Sequence, residues 1–78
     1  TFAAYPNPTV DVLHLSISNF NQENLSYSLF NVQGQRLATK KVNNTTTTIG
    51  MQSYAPAIYF LKVTSNNQTI KTFKIIKN

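Results

Sequence analysis

The sequence predicts a small all-β domain that folds as an antiparallel β-sandwich. Three observations lead to this prediction. Thr, Val, Ile, Tyr and Phe are frequent, and these side chains fit pleated surfaces. Turn residues recur at short intervals, with apolar residues alternating between them. No stretch of the chain keeps a helical period over three turns.

Six segments are predicted as strands, at spacings of about ten residues. They lie at residues 11–18, 25–32, 36–42, 45–48, 57–64 and 69–77. The segment 57–64 is the strongest, since Tyr59, Leu61 and Val63 share one face. Two sheets with one apolar face each bury those faces against each other, which predicts an Ig-like sandwich of about seven short strands. A five-stranded barrel is the alternative architecture.

The same alternation predicts the core, because a shift of one residue would turn each apolar set toward solvent. The residues expected inside are Leu13, Leu15, Leu29, Tyr59, Leu61, Val63, Phe73 and Ile75.

Glycine and asparagine mark the predicted turns. Gly34 is expected at positive φ in a hairpin over residues 32–35. Asn43 and Asn44 form a second predicted turn, since asparagine tolerates the left-handed region. Residues 65–68 predict a tight hairpin, and residues 19–24 a polar loop.

The chain has 78 residues, which predicts a single domain spanning 1–78. It has no cysteine, which excludes disulfides and thiolate metal sites. No run approaches 18 apolar residues, so no insertion into a membrane is expected. The first four residues do not resemble a signal peptide. We therefore interpret the chain as a fragment of a longer secreted protein.

The net charge is +5, from six lysines and Arg36 against Asp11 and Glu23. Such a charge permits binding to anionic surfaces or simply keeps a charge-poor domain in solution. Nucleic-acid binding is an alternative, because several aromatic residues lie near lysines. About half of these aromatics share a face with aliphatic residues, and no RNP-type cluster is present, so no nucleic-acid partner is expected.

The residues that could carry catalysis are few. His14, Asp11 and Ser16 are the residue types of a hydrolase triad, but Asp11 and His14 are predicted on opposite faces of a strand. Asp11 and Glu23 are the only carboxylate side chains, and Glu23 is predicted to be solvated in a loop. One histidine, two carboxylates and no cysteine rarely converge on a metal. We therefore expect no enzyme activity, no cofactor and no metal.

Three segments together resemble the type A C-terminal sorting domain of the type IX (Por) secretion system. They are Tyr5-Pro6-Asn7-Pro8-Thr9 with Asp11-Val12-Leu13, then residues 27–35, then residues 57–63 with the terminal residues 73–78. The order, spacing and C-terminal position of these segments match the family over nearly the whole chain. The sequence departs from the family at Ala57, where glycine is usual, and at Asn31, where an acidic residue is common.

The resemblance implies a C-terminal sorting signal that directs an upstream cargo across the outer membrane. It implies passage through the periplasm, followed by secretion or display at the cell surface. The implied partners are the type IX machinery at the outer membrane and its sortase-like protease, which removes the domain. The implied motif or recognition residues are Tyr5, Pro6, Asn7, Pro8, Gly34, Tyr59, Lys62, Lys74, Ile75, Ile76 and Lys77.

The last predicted strand is a candidate handle for recognition. A strand at the edge of a sheet offers unpaired backbone groups for β-augmentation. Lys62 and Lys74 are expected on one outer face, and Lys71 and Lys77 flank the strand as surface cations. Ile75 and Ile76 are both expected to pack. The lysines alternatively protect the edge from aggregation. The competing function is an Ig-like module that binds glycan or protein, since fold does not fix function.

Overall fold

The computed structural model describes residues 2–17 and 24–78, which form seven strands in two antiparallel sheets. The strands are β1 (Phe2–Tyr5), β2 (Val12–Ile17), β3 (Leu25–Asn31), β4 (Arg36–Lys41), β5 (Thr46–Gly50), β6 (Ala57–Ser65) and β7 (Gln68–Lys77). One sheet has the order β1-β2-β5 and the other the order β4-β3-β6-β7. The predicted all-β class is confirmed.

The core lies between the two sheets, as the sandwich prediction requires. Leu13 and Leu15 of β2 and Leu29 and Leu61 of the larger sheet are all fully buried in one cluster. The other predicted core residues are also buried, except Phe73, which is partly buried against the cluster. Further buried members are Ile17, Leu25, Tyr27, Val42, Ile49 and Met51.

Strand β1 was not among the six predicted segments. It has four residues, and the Tyr5-Pro6 step ends it. It pairs antiparallel with β2, with Phe2 opposite Ile17 and Tyr5 opposite His14. Short strands next to proline carry too few alternating positions to be recognised by period.

The predicted turns are right at Gly34 and at residues 65–68, and wrong at Asn43-Asn44. Gly34 has φ 86°, and Asn66 and Asn67 have φ 51° and 65° in the hairpin between β6 and β7. Neither Asn43 nor Asn44 is at positive φ. Strands β4 and β5 belong to different sheets, so the segment between them passes from one sheet to the other and does not form a hairpin. Asn24 has φ 53°, whereas the rest of the predicted 19–24 loop, with Glu23, lies outside the described residues.

Burial raises the pKa of the Tyr27 phenol above 10.0, and the charge of Tyr54 raises it further. The neutral Tyr27 phenol therefore stabilises the fold fully below pH 10.0, and this stabilisation is lost as the pH rises through the higher pKa of the folded state. We expect Tyr27→Phe to lose less stability than the natural sequence between neutral pH and about pH 11. Urea unfolding at the two pH values measures this. Tyr5→Phe, which changes an exposed tyrosine, is the control. If Tyr27→Phe lost as much stability as the natural sequence between the two pH values, the raised pKa of Tyr27 would be contradicted.

Candidate recognition site at the C-terminal strand

Strand β7 forms one edge of the larger sheet, with β6 on its inner side. Residues Asn7, Pro8 and Thr9, which we call the clasp, lie along the outer side of its last residues. The Thr9 amide donates to the Ile76 carbonyl at 2.8 Å, and the Asn78 amide donates to the Thr9 carbonyl at 2.9 Å. These bonds make a parallel bridge between Thr9 and Lys77. The chain thus leaves β1 in one sheet and joins the edge of the other.

The side chain of Asn7 extends this pairing along β7. Its Nδ2 donates to the Lys74 carbonyl at 2.8 Å, and its Oδ1 accepts from the Ile76 amide at 2.9 Å. A side-chain amide carries one acceptor and two donors, so it can satisfy both kinds of backbone group at once. Asn7 therefore acts as a short substitute for a neighbouring strand.

Thr9 fixes the clasp to the sandwich. It is fully buried, and its hydroxyl donates to the Val12 carbonyl at 2.7 Å, at the start of β2. Pro6 and Pro8, each preceded by a cis peptide bond, have no amide hydrogen to leave unpaired at a sheet edge. The proline-rich motif consequently holds the two ends of the described chain together.

The clasp changes the interpretation of β7 as an open edge. It covers the carbonyls of Lys74 and Ile76 and the amides of Ile76 and Asn78. Backbone groups alternate sides along a strand, so those of Thr72 point outward like those of Ile76. Within residues 2–17 and 24–78, the outer backbone groups of β7 are paired along its last half, and the open part of the edge is its first half.

The lysines of this region fall into two classes. Lys74 lies opposite Phe60, so it shares the outer face with Lys62, as predicted. Lys77 was expected to be a surface cation, and this is wrong: it is 8% exposed, and its Nζ donates to the Asn78 oxygen at 3.3 Å. It is in phase with buried Ile75, so its stem points inward.

The two isoleucines before Lys77 also differ. Ile75 is fully buried in the core. Ile76 was expected to pack as well, but it is 38% exposed, opposite Ile58 on the outer face. Only the first of the two therefore holds the strand by apolar burial.

The turn that contains Gly34 is organised by Asn31. The Asn31 Oδ1 accepts from the amides of Gln33 and Gln35, each at 3.0 Å, and the Gly34 amide donates to the Asn31 carbonyl. A carboxylate could accept the same two amides, so asparagine and an acidic residue can organise this turn in the same way.

Tyr59 has a packing role. Its ring is buried, 5.7 Å from that of Tyr54, and its hydroxyl donates to the Ala55 carbonyl at 2.6 Å. It thereby ties the irregular segment 51–56 to β6. Ala57 is not at positive φ, so the backbone there does not require glycine.

The predicted separation of Asp11 from His14 by strand alternation does not apply in the structure, because only His14 lies in β2. Asp11 precedes β2, so strand alternation does not fix its direction. His14 Nδ1 lies 3.4 Å from the Thr48 hydroxyl, and its ring lies 5.5 Å from that of Tyr5.

Within residues 2–17 and 24–78, no three histidine or acidic side chains converge on a possible metal position. In the described part of the chain, no helix has the length and apolar character to cross a bilayer.

The family profile described as "Secretion system C-terminal sorting domain" matches residues 3–78. The chain belongs to this family of sorting domains. It is a type IX sorting signal, a non-catalytic part of a larger exported protein. Such a domain directs its protein to secretion or to the cell surface. The predicted resemblance to this family is thus confirmed.

A curated relative is the ulvan lyase NLR42 of Nonlabens ulvanivorans, which is 32% identical over 75 residues. The match covers 95% of the sorting domain and 14% of the lyase, so the chain spans about one seventh of its relative. The similarity therefore concerns the sorting domain and not the lyase as a whole.

Clasp pairing gives a direct prediction. Asn7→Ala removes two hydrogen bonds from the sorting domain and should lower its free energy of unfolding by about 1–3 kcal/mol, since each bond contributes roughly 0.5–1.5 kcal/mol. The Ile76 amide should exchange with solvent faster, as measured by hydrogen exchange. Asn7→Asp keeps an acceptor for Ile76 and loses the donor to Lys74, so an intermediate effect is expected. Unchanged exchange at Ile76 in Asn7→Ala would contradict the pairing.

Proposed function

We propose that residues 1–78 form one domain that the type IX machinery reads as a folded shape at the outer membrane. On this proposal the protein passes through the periplasm, and a sortase-like protease removes the domain after export. The observation that supports it best is the clasp. It makes residues 74–78 part of the fold, so the C-terminal motif and the proline-rich motif are presented as one surface.

The motif residues support reading by shape because four of them are buried or paired with backbone. Ile75, Tyr59 and Lys77 are buried, and Asn7 pairs with backbone. Side chains that are buried cannot contact a receptor unless the domain opens. Direct contacts would then come from residues such as Lys62, Lys74 and Ile76, which lie on the outer face.

The composition suits passage through an oxidising compartment. The chain has no cysteine that could mispair there. The similarity to a lyase in which the matched region is 14% of the length also supports a cargo that lies elsewhere in the same protein. Cargo identity is a separate property that this domain does not encode.

The proposal is tested by fusing the domain to the C-terminus of an inert reporter that carries a signal peptide. The fusion is expressed in a bacterium with a type IX system and in the same strain without it. We expect the reporter outside the cell only in the first strain and only with the domain attached. Intact-mass measurement should show that the exported reporter has lost the domain. Reporter retained in the periplasm of the first strain would contradict sorting, and an exported full-length fusion would contradict removal.

A further inference from the structure

The outer face of the larger sheet carries a row of four residues that crosses all four strands. Arg36 on β4 lies opposite Phe30 on β3, Phe30 opposite Phe60 on β6, and Phe60 opposite Lys74 on β7. Two phenylalanines thus lie side by side with a cation at each end. Neighbouring strands are about 4.8 Å apart, so the backbone positions of the two cations are roughly 14 Å apart.

Apolar and cationic side chains continue on both sides of this row. Ile58 and Ile76 lie opposite each other and are 36% and 38% exposed. On the other side, the Lys62 Nζ lies 5.0 Å from the centre of the Phe30 ring. A shallow cavity of about 310 Å³ opens between Phe30, Phe60 and Lys62. We call this surface, made of Arg36, Phe30, Phe60, Lys74, Lys62 and the isoleucine pair, the basic face.

The positive charge of the basic face has no acidic neighbour among the described residues. Asp11 is the one described carboxylate side chain, and it lies before β2 of the other sheet. An uncompensated patch of one sign attracts a partner of the opposite sign and guides its approach.

We propose that the basic face docks a folded protein whose surface has an apolar patch flanked by carboxylates. This inference rests on the proposed function, because it names the surface by which the sorting machinery contacts the domain. Protein interfaces have an apolar centre that is enriched in aromatic residues and arginine, within a polar rim. The basic face has this composition: its two phenylalanines lie between Arg36 and Lys74, with Lys62 on one side of the row and the isoleucine pair on the other.

The same residues argue for a protein over an anionic polysaccharide. Lys62 lies over the Phe30 ring, which occupies the ring face that a sugar would stack on. The exposed aliphatic pair Ile58 and Ile76 offers nothing to hydroxyl or sulfate groups, whereas it fits an apolar protein surface. A polysaccharide is retained as an outcome of the test.

The first test is charge reversal in the reporter fusion. Lys62→Glu with Lys74→Glu changes the basic face. Lys40→Glu with Lys71→Glu is the matched control, because these lysines are opposite buried Tyr27 and Val63 and so belong to the other side of the sheet. The two pairs change the net charge equally. Both are first shown by thermal unfolding to keep the fold.

We expect the face variant to reduce export by about tenfold or more, since like charges across an interface cost several kcal/mol. The control should stay within about twofold of the natural sequence, as surface changes away from a contact do. Equal export by the face variant and the natural domain would overturn the docking face. Failure of the natural domain itself to be exported counts against the proposed function instead, so the two failures are distinguishable.

The second test identifies the class of partner. A photo-crosslinking amino acid is placed at Phe60, and at exposed Thr48 on the other sheet as a control, in fusions inside the secreting host. We expect a protease-sensitive adduct from position 60 alone, lost in Lys62→Glu with Lys74→Glu. An adduct that resists protease but is degraded by periodate would mean a polysaccharide partner and overturn the proposal. Equal adducts from both positions, or none from position 60, would also overturn it.

Discussion

Replacing Leu61 with alanine should lower the free energy of unfolding by about 2–5 kcal/mol, the range for Leu→Ala in a packed core. Leu61 is fully buried at the centre of β6, between Leu29 on β3 and Phe73 on β7. The truncation leaves a cavity at the point where three strands of the larger sheet meet the smaller one. Small domains are stable by only about 5–15 kcal/mol, so this is a large fraction of the total.

Chemical denaturation measures the loss, and Val32→Ala is the matched control. Val32 is 59% exposed after the end of β3, so its truncation should change stability by less than about 0.5 kcal/mol. A loss below about 1 kcal/mol in Leu61→Ala would contradict burial of this side chain in solution.

Deleting residues 74–78 should abolish export of an attached reporter, while the reporter itself still folds in the periplasm. The deletion removes fully buried Ile75 and exposes the apolar space that it fills. It also removes the four backbone groups of residues 74–78 that pair with Asn7 and Thr9. The measurement is the amount of reporter in the medium and in the periplasm. Normal export of the truncated form would contradict the role of this strand.

Two finer variants separate shape from side-chain recognition. Lys74→Ser with Ile76→Thr changes the outer face of β7 and keeps its backbone, Ile75 and Lys77. If this variant is stable but retained, the outer side chains are read directly. If it is exported while the deletion is not, the strand acts through the fold. Lys77 is excluded from such surface changes, because its stem is buried and its loss would disturb packing.

Period-2 alternation predicted most of the fold because a strand that is buried on one face alternates apolar and polar residues along its own sequence. Leu13 and Leu15 on β2 and Leu61 and Val63 on β6 are buried as their alternation indicates. Lys77 shows where residue type misleads: its phase with Ile75 pointed inward, but its charge suggested the surface. Phase was the better guide.

The clasp could not be predicted from the sequence. Asn7 and its partners on β7 are 67 and 69 positions apart, and no local pattern records such a pairing. The backbone conformation of the asparagines could not be predicted from residue type either. The left-handed conformation occurs at Asn66 and Asn67 but not at Asn43 and Asn44, and the difference depends on which strands the segment joins. Burial of Thr9 likewise depends on a contact with Val12 that its type does not indicate.

The clasp also makes closure of the domain depend on the presence of residues 74–78. Synthesis and export deliver residue 7 long before residues 74–78, so the most distant contact of the fold is the last that can form. Until then β6 has a bare edge, and the proline-rich motif has nothing to pair with. A chain that breaks off anywhere within the domain would present neither end correctly. A receptor that reads the closed shape would thus admit only chains in which β7 has been made and has paired with the clasp.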